Sequence, residues 1–257
     1  MAKVSSNFVC QSCGARYSRW QGRCDNCGEW NTISETAGPA GPSRAVAASP
    51  VALRSVRQSR SSRFSTGIAE LDRTLGGGIV PGSIILIGGD PGIGKSTLVL
   101  DAAMKLARAE AVLYVSAEES PEQVKLRADR LGPIPEGLAI LSETDLDVAL
   151  ATSGAHPYAL VIIDSIQAMR TSEIPAAAGS VSQVATGAVK LQALAKQDGP
   201  AVLVIGHVTK EGGLAGPKTL EHLVDVVLYL EGERSGELRL LRGAKNRFGS
   251  TGELGLF

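Results

Sequence analysis

The sequence predicts a mainly parallel α/β fold, preceded by a small metal-stapled module. Three observations carry that prediction. The apolar run Ser83-Ile84-Ile85-Leu86-Ile87 enters a Gly-rich loop that opens into a helical pattern over Thr97 to Arg108, the strand–loop–helix order of a βα unit. Further apolar strand candidates follow, the early ones separated by helical patterns, which places a parallel sheet between two helical layers. All four cysteines fall in two C-x-x-C pairs near the N-terminus, the spacing of a four-thiolate zinc site. The 257 residues, 44% hydrophobic and 20% charged, suffice for one large domain and an appendage. No apolar run approaches the length of a membrane span, and no signal-peptide core opens the chain. A soluble cytoplasmic protein that does not engage a membrane is therefore expected.

In chain order, Cys10, Cys13, Cys24 and Cys27 come first. Each pair forms a knuckle offering two sulfurs to one Zn²⁺, and four thiolates leave no open position, so the metal is structural. Gly14 and Gly28 follow the second cysteine of each pair, where the backbone must turn tightly. A module of about thirty residues cannot bury enough core to fold without such a staple. Two disulfides are the rival reading, disfavoured in a cytoplasmic chain. Tyr17, Trp20 and Trp30 are interleaved with Arg16, Arg19 and Arg23; they either stack on bases and grip phosphate or form the module's core.

Formal net charge is zero, yet residues 1–63 hold nine cations against three acids, a net +6. A basic head on an acidic body suits a polyanionic partner. From Ala37 to Ser62 the chain is rich in Ala, Gly, Pro, Ser and Arg, a linker composition. Arg54, Arg57, Arg60 and Arg63 within and beside it either meet nucleic acid or keep the linker extended. The organisation is a zinc-binding module over 1–34, a basic flexible linker over 35–63 and a large α/β domain over 64–257.

The central loop, Gly89-Asp90-Pro91-Gly92-Ile93-Gly94-Lys95-Ser96-Thr97, contains the pattern G-x-x-x-x-G-K-S/T. Its glycines let successive backbone N–H groups curl around phosphate oxygens at a helix N-terminus. Lys95 is expected on the β- and γ-phosphates of ATP and Ser96 on Mg²⁺. Leu160-Val161-Ile162-Ile163-Asp164 is an apolar strand ending in a carboxylate, which supplies the second Mg²⁺ contact. Two strand candidates, Ala111–Ser116 and Leu138–Leu141, lie between these motifs in sequence. The pattern fits ATPases that insert a strand between the two sites and activate water with a glutamate. That glutamate is expected at the end of a strand beside the P-loop. Glu118, after Tyr114-Val115-Ser116-Ala117, is favoured as the base, with Glu119 the runner-up as an acid at the next helix's N-terminus. The other elements expected are helices over Pro121–Leu131 and Val181–Lys196 and strands over Ala201–Ile205, Val226–Leu230 and Leu238–Leu241.

These motifs together resemble the bacterial RadA (Sms) family of DNA-repair proteins over nearly the whole chain. The residues concerned are the four cysteines, Thr66-Gly67-Ile68 with Leu71-Asp72, the P-loop, Ser116-Ala117-Glu118-Glu119-Ser120, and Lys245-Asn246-Arg247-Phe248-Gly249. The resemblance implies a RecA-like ATPase core. It also implies a homo-hexameric, ATP-driven motor on single-stranded DNA that moves branched recombination intermediates alongside RecA recombinase. Family members continue into a Lon-protease-like domain without proteolytic activity, so this chain is expected to be truncated.

In RecA-like proteins the loops corresponding to Arg170–Thr186 and Thr209–Thr219 line the DNA channel. Lys210 and Lys218 are therefore DNA-contact candidates. His207 either senses the γ-phosphate or is a satisfied structural histidine. Lys245 and Arg247 are expected in a turn bracketed by Gly243 and Gly249 and anchored by Phe248, reaching a neighbouring protomer's nucleotide as catalytic cations. The other functions open to this sequence are an ATP-switched scaffold that binds DNA or RecA, and a circadian-clock-type RecA-fold kinase. The zinc module and the Lys245–Gly249 motif argue against the kinase.

Overall fold

The computed structural model describes residues 7–10, 15–36, 52–55, 63–197, 199–207, 220–232 and 238–257. The chain divides into two units, Met1–Gln58 and Ser59–Phe257. In the first, β1 (Asn7–Cys10) pairs antiparallel with both β2 (Arg16–Tyr17) and β3 (Ile33–Thr36). Cys10, Cys24 and Ile33 are its buried centre, with Phe8, Ala15 and Tyr17 packed against them. Tyr17 is thus core, whereas Trp20 and Trp30 stand exposed and Arg23 lies 5.9 Å from the Trp30 ring centre.

The second unit is built on one eight-stranded sheet. Its strands are β4 (Ile84–Gly89), β5 (Val112–Ser116), β6 (Leu138–Ser142), β7 (Leu160–Asp164), β8 (Ala201–Ile205), β9 (Val226–Glu231), β10 (Leu240–Asn246) and β11 (Leu254–Leu256). They lie in the order β11-β10-β9-β4-β8-β7-β5-β6. Strands β4 to β9 run parallel, and β10 and β11 extend the sheet antiparallel. Side chains alternate faces along a strand, and the central strands β4, β5, β7 and β8 are buried at every position because both faces are covered. Ile85, Ile87, Tyr114 and Ile162 enter the core layer with α1 (Ala69–Leu75), α2 (Lys95–Leu106) and α3 (Pro121–Leu131). Ile84, Leu86, Val115 and Ile163 enter the opposite layer with α4 (Leu146–Gly154) and α5 (Val181–Lys196).

Local signals explain the element ends. Ser120 caps α3 in a reciprocal capping box with Gln123, with Pro121 at the first turn, an arrangement that satisfies two orphan N–H groups. Asp145 caps α4 by accepting from Asp147 and Val148 N–H. Gly76 closes α1 at φ 81°, a left-handed stop that favours glycine.

Three expectations need correction. The strand inserted between β4 and β7 is β8, which comes later in the chain. The strand that carries the glutamates, β5, lies beyond β7 and does not adjoin β4. Parallel strands are joined by crossovers, so strands that follow one another in sequence need not be neighbours in the sheet. From β4 the chain crosses to β5 and β6 at one edge, then returns through β7 to fill the position beside β4 with β8. Second, Gly243 to Asn246 belong to β10, whose pairing to β9 shifts register between Gly243 and Lys245 and then continues. Only Arg247 onward turns. Third, the helix expected over Val181–Lys196 forms as read, so the loop expected over Arg170–Thr186 is irregular only over 170–180.

Candidate nucleotide site

The P-loop leaves the C-terminal end of β4. Gly92 and Gly94 have φ of 79° and 108°, and a Cβ built on either meets nothing within 4 Å. They line an open cradle, the shape a polyphosphate fills. Gly89 is closed in: a Cβ there would lie 2.5 Å from the Leu230 carbonyl oxygen on β9. Lys95 begins α2 and is buried, its Nζ donating to the Gly89 and Asp90 carbonyls at 2.9 Å each. Burial pushes the Lys95 pKa down, against the pull of Asp164, Asp90 and Glu118. An incoming phosphate offers that cation a better partner than two neutral carbonyls.

Asp164 ends β7 and is buried. Its Oδ1 accepts from Ser96 Oγ at 3.2 Å, and its Oδ2 accepts from the Tyr114 hydroxyl. Burial raises the Asp164 pKa, and these two hydroxyls oppose the rise. A hydroxyl and a carboxylate converging beside a phosphate cradle are hard oxygen donors, the set that Mg²⁺ takes together with phosphate oxygens. The residues therefore fit Mg-ATP.

The two glutamates separate cleanly. Ser116 is opposite Asp164 in the β5–β7 register, and Ala117 N–H donates to the Asp164 carbonyl at 2.7 Å. The chain leaving β5 thus runs along the end of β7. Glu118 Oε1 accepts from Ser165 Oγ and lies 3.4 Å from His207 Nε2. His207, Ser165 and Lys95 together hold the Glu118 carboxyl down to about 2 against partial burial. Glu119 turns away and pairs with Arg127 of α3. Of the two candidates, Glu118 alone lies with Lys95, Asp164 and His207. Tyr114 and Ser165 were not legible as site residues, since a strand tyrosine and a serine after an aspartate read as core and cap.

Lys245 and Arg247 lie elsewhere. Lys245 Nζ donates to the Glu221 and Val224 carbonyls at 2.6 and 2.8 Å, and Arg247 pairs with Asp225 at 3.0 Å. Asp225 in turn accepts from Ile84 N–H at 3.1 Å, at the start of β4. The P-loop follows the other end of that strand, about 20 Å away for six extended residues. Neither cation lies at the P-loop of its own chain. Phe248 is exposed and does not anchor the turn by packing. The turn is held by Arg63, which donates to the Phe248 carbonyl at 2.7 Å and the Leu75 carbonyl at 3.0 Å, and by Asn246. Arg63 is therefore a clamp and not a free linker cation.

In the N-terminal unit the sulfurs of Cys10, Cys24 and Cys27 lie within 4.8 Å of one another, with Cys10 and Cys27 at 3.7 Å. Tetrahedral Zn–S bonds of about 2.3 Å place sulfurs roughly 3.8 Å apart, whereas a disulfide needs about 2 Å. The thiols fit zinc. The Tyr17 hydroxyl, 3.0 Å from Cys24 Sγ, holds that thiol down to about 6, which favours the thiolate a metal requires. Cys13, Lys210, Lys218 and the Thr209–Thr219 loop lie outside the described residues.

A phosphate cradle, two carboxylates and a central parallel sheet define the class: a P-loop nucleotide-binding protein with a RecA-like core and an N-terminal zinc ribbon. The chain belongs to the AAA domain family, whose model matches residues 48–213. Residues 8–35 match a rubredoxin metal binding domain. Along its whole length the chain is 48% identical to the DNA repair protein RadA of Pseudomonas aeruginosa and 48% identical to that of Bacillus subtilis. It is 46% identical to RadA of Brucella abortus. It spans 58% of the length of each of these relatives. A solved structure of an ATPase domain shares the fold, with a TM-score of 0.60 at 16% identity over 78% of this chain and 88% of that one. Among the described residues no helix is long and apolar enough to cross a membrane.

Proposed function

We propose that this chain is a Mg²⁺-dependent, DNA-dependent ATPase that moves along single-stranded DNA and drives branch migration in recombinational repair. The observation that carries the reading is the convergence of Lys95, Ser96, Asp164 and Glu118 at the end of one sheet. Magnesium held by Ser96 and Asp164 would neutralise phosphate charge. Lys95 leaves its two P-loop carbonyls to bind the β- and γ-phosphates. Glu118, ionised at neutral pH, orients the attacking water and takes up proton density late, as suits the loose transition state of phosphoryl transfer. His207, in contact with Glu118 and next to the Thr209–Thr219 loop, is suited to reporting the γ-phosphate to that loop.

The names of the similar proteins support a role in DNA repair. Branched intermediates, RecA recombinase and a homo-hexamer are the finer parts of the proposal. Lys245 and Arg247 belong to it as cations offered to the neighbouring copy's nucleotide, since their distance from their own P-loop argues against a role at their own chain's nucleotide. The test is directional displacement of an annealed strand. It is expected with ATP, and neither with a non-hydrolysable analogue nor in Lys95→Ala. Equal displacement with the analogue would favour the ATP-switched scaffold instead.

A further inference from the structure

Glu118 must be aimed as well as ionised. Its side chain is about half exposed at 47%, so packing alone does not fix its rotamer. Ser165 has no exposed surface and immediately follows Asp164. It occupies the N-cap position of the short 3₁₀ turn Ile166–Ala168, yet its side chain makes no capping bond. A serine there ordinarily spends its hydroxyl on the helix amides. Here that hydroxyl donates to Glu118 Oε1 instead. The same oxygen faces His207 Nε2, so the donors gather on Oε1. We infer that Ser165 is a positioning residue: it pins one oxygen of Glu118 and leaves Oε2 to meet the attacking water.

The inference rests on the ATPase reading and adds a residue to it. One residue pair, Asp164-Ser165, then sets both carboxylates of the site. Asp164 takes the metal side through Ser96, while Ser165 aims Glu118. A rotameric glutamate without this donor would spend much of its time misaligned, and misplacement by about 1 Å costs on the order of a hundredfold in rate at worst.

The test is a double-mutant cycle on the whole chain, with Ser165→Ala, Glu118→Gln and the pair. Single-turnover ATP hydrolysis and nucleotide affinity are measured for each. Ser165→Ala is expected to lower the hydrolysis rate about tenfold, the size of a lost charge-assisted hydrogen bond, with nucleotide affinity unchanged. In the Glu118→Gln background it is expected to cost nothing further. An equal loss in both backgrounds would show that Ser165 acts through general structure and would overturn the inference, as would wild-type turnover in Ser165→Ala. If Glu118→Gln itself hydrolyses normally, the assignment of Glu118 fails, an outcome distinct from failure of the Ser165 inference.

Discussion

At the scale of single residues, the site is held by hydroxyls that sequence motifs do not announce. Tyr114 is fully buried in β5, and burial with the nearby Asp164 charge holds its phenol well above the usual range. It stays a donor at every working pH and fixes Asp164 Oδ2 while Ser96 meets Oδ1. Tyr114→Phe keeps the ring but leaves a buried carboxylate oxygen without its partner. We expect Mg²⁺-dependent nucleotide binding to weaken about tenfold, with magnesium-free binding little changed, as read by titration of a fluorescent nucleotide. Unaltered magnesium dependence would remove Tyr114 from the metal side of the site. Lys95, Ser96 and Asp164 were legible because their roles demand fixed spacing after a strand. Glu118 was legible only as one of two, since nothing in Glu118-Glu119 says which carboxylate Arg127 will take. Tyr114 and Ser165 were not legible, because their partners lie 50 and 47 residues away and their types are ordinary in a core.

At the scale of elements, the hydrophobic runs gave strands and long helices at nearly their observed bounds, α3 and α5 most closely. Strand order was not legible, because β8 enters the sheet from a distant part of the chain and no local pattern records that crossing. α1 and α4 have only seven and nine residues, and β11 has three, too few for periodicity to register. The segment after β7, expected to line a DNA channel, is anchored by side chains of α4 and α5. Gln183 of α5 is buried, accepts from Thr171 N–H at 2.9 Å, and donates to the Thr171, Ile174 and Ala176 carbonyls at 3.1, 2.8 and 3.1 Å. Lys190 reinforces it through Asp147, Glu173 and Thr171. Gln183→Ala strands the buried N–H and carbonyl of Thr171 at a cost of about 2–3 kcal/mol, which for a domain of this size lowers the melting temperature by about 5 °C or more. Melting within a degree of wild type would mean that the segment holds its shape without Gln183.

At the scale of the whole molecule, the labour of the proposed motor is divided between copies. Each chain carries Lys95, Asp164 and Glu118 at one end of its sheet and Lys245 and Arg247 at the other. Arg247→Ala and Glu118→Gln proteins should each be nearly inactive, yet a mixture should regain some turnover, because some shared sites then combine an intact Glu118 with an intact neighbouring Arg247. Mixed assemblies with no gain over the separate variants would end the proposal of action in trans. The central claim is simpler: this chain hydrolyses ATP with Glu118 as the group that activates water. Its most direct test compares nucleotide binding and phosphate release, with single-stranded DNA present, for Glu118→Gln and Glu119→Gln. Glu118→Gln is expected to bind Mg-ATP as wild type does and to release phosphate at least about a hundredfold more slowly, while Glu119→Gln keeps most of its turnover. Wild-type phosphate release by Glu118→Gln would contradict the claim.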